Sequence, residues 1–290
     1  MYVSTSCLRH GHTLAKIAAY QAAGFDNIEL GASEHYIRGI TRAFDHDQMD
    51  HINFIVHHYF PPSSQPFVVN LASPDSRVLS RSRRQVRRSL RFCAEHHMPL
   101  FTVHAGFAID PDLHMRFDRT TVLSRSYEAA FQTFIESMTM MSDYATSLNI
   151  GLAVENNVVA QNNFIDAKEQ YILLASANEF LRVWEALAPR DVGILVDLGH
   201  LKVSANTLGF DRDQFLHAVE HRVRAFHVHD NNGSLDQHNC VSPDSWATQV
   251  VANPAFQEVP ITLECMSESI SELQQQVALL YAAVDRAARC

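Results

Sequence analysis

Residues 150–156 read Ile-Gly-Leu-Ala-Val-Glu-Asn, and residues 192–200 read Val-Gly-Ile-Leu-Val-Asp-Leu-Gly-His. Each begins as a short β-rich run and ends on an acid. In a strand, side chains alternate between two faces. Leu152 and Val154 then share one face, and Gly151, Ala153 and Glu155 share the other; Ile194 and Val196 likewise oppose Gly193, Leu195 and Asp197. The acid comes last both times, on the face away from the branched aliphatics.

Working outward, similar runs occur at Tyr2–Ser6, Asn27–Gly31, Ile52–Tyr59, Leu100–Gly106, Arg224–Asp230 and Pro260–Cys265. With the first two they make eight. Helical apolar spacing fills the gaps at His12–Ala23, Pro74–His97, Arg119–Leu148, Glu179–Leu187, Arg212–Glu220 and Ser269–Ala287. Arg119–Leu148 is long enough for two helices. Eight rounds of alternation predict an α/β fold, a single (β/α)8 TIM barrel over residues 1–290. The alternative, an open doubly wound sheet, would call for a glycine-rich turn after the first strand, which this sequence lacks. No linker, low-complexity stretch or short repeat divides the chain.

Composition narrows the function. The chain has 47% hydrophobic and 19% charged residues, as a globular protein does. A formal charge of -9 opposes nonspecific attraction to nucleic acid, so none is expected as a partner. No apolar run approaches the ~20 residues of a membrane span, and no leader pattern opens the chain, so a cytoplasmic protein is expected. Five cysteines, Cys7, Cys93, Cys240, Cys265 and Cys290, form no CxxC pair and read as reduced thiols. Seventeen histidines are the unusual count, and what matters is where they fall.

The same alternation, carried to the other strands, directs further polar groups inward. Ala225, His227 and His229 oppose Phe226 and Val228; Thr262 and Glu264 oppose Ile261 and Leu263. Thr102 and His104 oppose Phe101 and Val103, and Glu29 opposes Ile28 and Leu30. In such barrels, active sites lie at the C-terminal ends of the strands. Glu155, Asp197, His227 and Glu264 thus meet at one mouth, where unpaired acids would be costly to bury. A shared divalent metal supplies the counter-charge. Mixed carboxylate and imidazole donors suit Zn²⁺, Mn²⁺ or Fe²⁺ better than Mg²⁺. The pairs Asp197/His200 and Asp236/His238 add side chains just past the sixth and seventh strands. A lone strand-end histidine such as His104 is more often a hydrogen-bonded core residue, and His58 and His229 can be read either way.

At these residues the chain resembles the xylose isomerase-like TIM barrel superfamily, which includes sugar isomerases and epimerases and the endonuclease IV group. AVEN, VDLGH, FHVHDN and TLEC match the sugar enzymes' metal set at Glu155, Asp197, His227 and Glu264. The resemblance implies that Glu155 and Glu264 also flank the substrate and move its protons. It extends to the trinuclear zinc set of endonuclease IV, which falls on His57, His104, Glu155, Asp197, His200, His227, Asp236, His238 and Glu264. One to three ions per chain are therefore implied. Two departures stand out: the loop DNNGSLDQHNC lacks the arginine that ketose 3-epimerases place there, and Cys240-Val241-Ser242 replaces the glycine pair usual after the DxH element.

Arg77, Arg81, Arg84, Arg88 and Arg91 form a helical stripe opposite Leu79, Val86, Leu90 and Cys93. A solvated outer face, with carboxylates of a neighbouring element or of a second copy in a homo-oligomer as partners, accounts for it without nucleic acid. The expected function is a metal-dependent isomerase or epimerase of a small polyhydroxy substrate, with Glu29 and His200 as further substrate-binding groups. The alternative is a multinuclear zinc phosphoesterase acting on abasic DNA or another phosphoester. A barrel that keeps a metal and has lost activity is a third possibility. Loops at 31–35, 60–65 and 107–116 are expected to select the substrate.

Overall fold

A computed structural model describes residues 1–31, 36–45, 49, 51–118, 127–163 and 171–288. Residues 32–35 of the first expected selectivity loop, residues 119–126 of the expected long helix, and Cys290 lie outside the described residues.

Eight parallel strands close into a barrel in chain order. They are β1 (Tyr2–Ser4), β2 (Asn27–Leu30), β3 (Asn53–His57), β4 (Leu100–His104), β5 (Gly151–Glu155), β6 (Gly193–Asp197), β7 (Val223–Val228) and β8 (Ile261–Leu263). Around them lie α1 (Thr13–Ala22), α2 (Ser76–Glu95), α3 (Tyr127–Ser147), α4 (Ala177–Leu187), α5 (Leu198–Leu208), α6 (Arg212–Val219), α7 (Trp246–Val251) and α8 (Ile270–Ala287). Among the described residues the β2–β3 link carries a 3₁₀ segment, Ile40–Asp45, in place of an α-helix.

Two helices depart from the expectation. α5 begins at Leu198, directly after Asp197 ends β6, so no turn residues mark the boundary. α7 has six residues, too few to show a helical period.

The strand alternation has two apolar consequences. Outward residues such as Ile28, Val56, Val103, Val154, Ile194 and Phe226 pack under the helices in the main core. Inward residues Ile55, Leu100, Ala153, Leu195 and Ala225, with Tyr2 against them, form a separate small cluster that plugs the barrel. Two positions further along those five strands stand His57, Thr102, Glu155, Asp197 and His227. The plug is thus a dry floor, and the layer above it is the polar one.

α2 carries the arginine stripe, capped by Asp75, whose carboxylate accepts from the Arg77 and Val78 amides. Val86, Leu90 and Cys93 face the core as expected, whereas Leu79 is half-buried. The stripe is not uniformly solvated. Arg81 stacks on Phe67 at 3.8 Å and Arg88 donates to the Pro62 carbonyl, while Arg77, Arg84 and Arg91 remain exposed. Cys7, Cys93, Cys240 and Cys265 are free thiols. Among the described residues no helix is long and apolar enough to cross a membrane.

Candidate metal centre

All nine side chains expected as ligands come together at the C-terminal mouth, in three adjoining groups, and a tenth, His229, joins them. Within each group, one potential donor atom per residue lies within 4.8 Å of the others.

The first group is His57, His104 and Glu155, from the ends of β3, β4 and β5. Glu155 Oε2 is 3.4 Å from His57 Nε2 and 3.1 Å from His104 Nδ1. The Thr102 hydroxyl lies 2.8 Å from His57 Nδ1 and fixes the ring from behind. The chain then turns through His58 at φ 49°, and His58 Nδ1 accepts the His104 amide.

The second group is Glu155, Asp197 and His227, all fully buried, with Glu264, whose side chain is 11% exposed. His227 Nδ1 lies 3.0 Å from Glu264 Oε2, 3.4 Å from Glu155 Oε1 and 3.8 Å from Asp197 Oδ2. Its Nε2 is 2.9 Å from Glu29 Oε2. Glu29, expected to bind a substrate hydroxyl, is instead fully buried behind His227. From there it orients the imidazole and sets which nitrogen faces the centre, as outer-shell carboxylates do for ligating histidines.

The third group is His200, His229, Asp236 and His238. Asp236 Oδ2 lies 3.3 Å from His200 Nε2 and 3.1 Å from His238 Nε2. Asp197 also caps α5, accepting the His200 amide at 2.6 Å, and this places His200 one turn above it. His238, at φ 49°, is tied through Nδ1 to the Glu264 carbonyl at 3.0 Å and stacks on His229 at 3.9 Å. The sequence left His229 ambiguous because a barrel strand's last inward position and the next look alike. Its signal was the period-two continuation of Ala225 and His227.

The donor set can be tested against a cation. Both Glu155 oxygens and His227 Nδ1 are buried without a hydrogen-bond partner. Buried polar atoms are seldom left so, and an ion is one resolution. Electrostatics agree. Burial lifts Glu155 to about 7 despite His227 and His200 nearby. Burial also holds His57, His58 and His104 well below the ordinary histidine range. Burial would lower His200 and His227 too, but Asp197 and Asp236 around the first, and Glu264, Glu29 and Glu155 around the second, hold both well above it. Against the same burial, Asp236 and Glu264 raise His238 to about 9. Asp197, Asp236 and Glu264 are held low by their histidines in spite of burial. Asp197, Asp236 and Glu264 thus attract positive charge, and the mixed carboxylate and imidazole donors fit a divalent ion.

Beside the first and third groups opens a cavity of about 680 Å³. His57, His104, His200, Asp236, His238 and Glu264 are among its lining residues, as are Phe67, Phe107, Leu113, Met115, Phe117 and Ile172.

A family profile described as xylose isomerase-like TIM barrel matches residues 17–283. An uncharacterised protein of Methanocaldococcus jannaschii, MJ1614, is 22% identical over 173 residues, which are 60% of this chain and 56% of that protein; the match therefore spans little more than half of the relative's length. A D-tagatose 3-epimerase-like protein superposes with a TM-score of 0.74 at 15% identity, covering 99% of this chain and 98% of its own. The 3-keto-D-glucoside 4-epimerase of E. coli superposes with a TM-score of 0.66 at 14% identity, covering 97% and 98%. At these identities the structural likeness is one of fold. From the profile match over most of its length, the chain belongs to the xylose isomerase-like TIM barrel family.

Proposed function

We propose that the protein is a divalent-metal-dependent isomerase or epimerase of a small polyhydroxy carbonyl compound. One observation carries this reading. Glu155 and Glu264, from strands separated by β6 and β7, both approach His227 Nδ1, at 3.4 and 3.0 Å, beside a cavity with no lysine or arginine among its described lining residues. Two carboxylates at one centre supply a base and an acid for moving a proton at carbon, and the described wall offers no lysine or arginine for a phosphate.

Glu155, Asp197, His227 and Glu264 would hold the ion, Zn²⁺ or Mn²⁺, which supplies Lewis acidity that polarises neighbouring carbonyl and hydroxyl oxygens and acidifies the C–H between them. Glu155 would remove or return the proton at that carbon. Glu264 serves the opposite transfer, and the Ser6 hydroxyl, donating to Glu264 Oε1 at 3.1 Å, fixes it. Glu29 keeps His227 in place from behind. His200, at the cavity wall, would donate to a substrate hydroxyl. The names of the superposed epimerases agree with this chemistry.

The test is deuterium exchange. Protein loaded with Mn²⁺ or Zn²⁺ is incubated in D₂O with a panel of aldoses, ketoses and their phosphates. Metal-dependent incorporation at the carbon beside the carbonyl is expected, abolished by chelation and by Glu155→Gln. No incorporation with any member, alongside cleavage of abasic-site DNA, would overturn it.

The second reading, a multinuclear phosphoesterase, is favoured by one observation: the three donor groups adjoin, and Glu155 belongs to two of them. Such a cluster suits in-line displacement at phosphorus.

A further inference from the structure

The cavity wall has two chemically different sets of residues, and only one is accounted for by a polyhydroxy substrate. In the apolar set, Leu113 is 61% exposed and Met115 48% exposed. With Tyr36 they are three of the nine exposed large hydrophobic residues among the described residues, and all three line this cavity. Exposed apolar groups gathered at one site mark a binding surface more often than singly scattered ones do.

The lip is built into its position. Asp112 accepts the His114 and Arg116 amides at 2.9 and 3.0 Å, its own amide donates to the Arg116 carbonyl at 3.0 Å, and its carboxylate pairs with the Arg116 guanidinium at 2.7 Å. Met115 takes φ 57° within that turn. Next to it, Phe117 packs between Phe107 at 5.2 Å and Tyr171 at 4.6 Å, which leaves it half-buried.

Polar groups of the same wall are committed elsewhere. The Tyr59 hydroxyl accepts the Val69 amide, Gln85 donates to the Tyr59 and Pro61 carbonyls, and Asn157 donates to the Leu173 carbonyl. What Phe67, Phe107, Leu113, Met115, Phe117 and Ile172 offer a ligand is ring faces and aliphatic surface. A volume of about 680 Å³ sits in the roughly 300–1,000 Å³ range that encloses drug-sized ligands, beyond what a single sugar ring fills.

The geometry points to an amphiphilic glycoside that carries a ring ketone as the substrate class: an oxygen-rich ring, its ketone supplying the carbonyl for proton transfer, against the acids and histidines, with an aromatic or alkyl group at the anomeric oxygen that lies against Leu113, Met115 and Phe117. This rests on the isomerase or epimerase reading, since that reading places the sugar at the metal. Burial of one phenyl ring against such a wall is expected to raise affinity roughly 10- to 100-fold.

The test compares methyl with phenyl glycosides of glucose, galactose, mannose and xylose, carbonyl-free analogues that bind without reacting, by calorimetric titration of the metal-loaded protein. At least one phenyl glycoside is expected to bind tenfold or more tightly than its methyl partner. In Leu113→Ser/Met115→Ser, whose positions are exposed enough for folding to tolerate polar groups, that ratio is expected to fall below about threefold. Equal binding of both glycosides by the unmodified protein, no binding of either, or a ratio unchanged in the variant would each overturn the inference. Exchange of free sugars in D₂O is measured in parallel. If free sugars exchange and phenyl glycosides gain nothing, the inference fails and the isomerase reading stands. If phenyl selectivity appears without metal-dependent exchange, the isomerase reading fails instead.

Discussion

Glu155 Oε1 lies 3.4 Å from His227 Nδ1, and neither atom has a hydrogen-bond partner. The two are buried donors in ion-pair range that the protein itself leaves unsatisfied. Because Glu155 belongs to both the first and the second group, it is the side chain whose change reaches furthest.

Glu155→Gln keeps the volume and removes the charge. Metal content, read by inductively coupled plasma mass spectrometry, is expected to drop by at least one ion per chain, and metal-dependent exchange to fall by about 10³-fold. The metal-free variant is expected to melt no lower than the parent, since a buried amide costs less than a buried carboxylate. Undiminished metal content would remove Glu155 from the centre.

The second group was legible because strand periodicity alone directs Glu155, Asp197, His227 and Glu264 inward, each near the end of its strand. The third was legible only in part. Asp236 and His238 sit in an irregular segment after β7, where no period says which way a side chain points; their placement depends on the Asp236–His200 contact and on the His238–Glu264 carbonyl bond, both long-range. α5 escaped notice because its cap is Asp197 itself, read as a strand-end acid. Glu29 was rightly read as inward, but alternation fixes a face and not a depth, and His227 stands between it and the cavity.

Gly199 shows a constraint of this kind. A Cβ there would overlap the His229 ring, whose Nε2 lies 3.0 Å from the Asp197 carboxylate. Gly199→Ala therefore has to displace His229 or shift the start of α5. A loss of about 1–3 kcal/mol is expected from thermal or denaturant unfolding, the usual cost of overpacking. Weaker binding of whatever ion the third group holds should accompany it. A variant of parental stability would mean that the ring moves freely.

Protonation gives a pH signature in the metal-free protein. His238, raised to about 9 from an ordinary 6.5, contributes stability that is complete below pH 6.5 and is lost as pH rises through 9. Glu155, an acid raised to about 7, has the same sign, its contribution being lost as pH rises through 7. Calorimetric unfolding should show stability falling between pH 6.5 and 9, by up to about 3 kcal/mol from His238. Metal binding in that window should release protons, seen as a dependence of binding heat on buffer ionisation enthalpy. A stability flat across this range would contradict the assignment.

The double change His57→Ala/His104→Ala separates the two readings of the centre. His57 and His104 belong to the first group alone, while the isomerase reading needs only the second, in which Glu155, Asp197, His227 and Glu264 are all intact. Burial holds both imidazoles neutral, so their loss deletes donors without deleting charge. Under the isomerase reading, one ion stays bound and metal-dependent exchange persists within about tenfold, because Glu155 keeps its place through the second group. Under the phosphoesterase reading, the ion of the first group is lost and phosphoester cleavage collapses by about 10³-fold or more. Metal stoichiometry and the two activities, measured on the same preparation, decide between them. If exchange itself disappeared while one ion remained, proton transfer would have to depend on the first group, and the roles given to Glu155 and Glu264 would need to be reassigned.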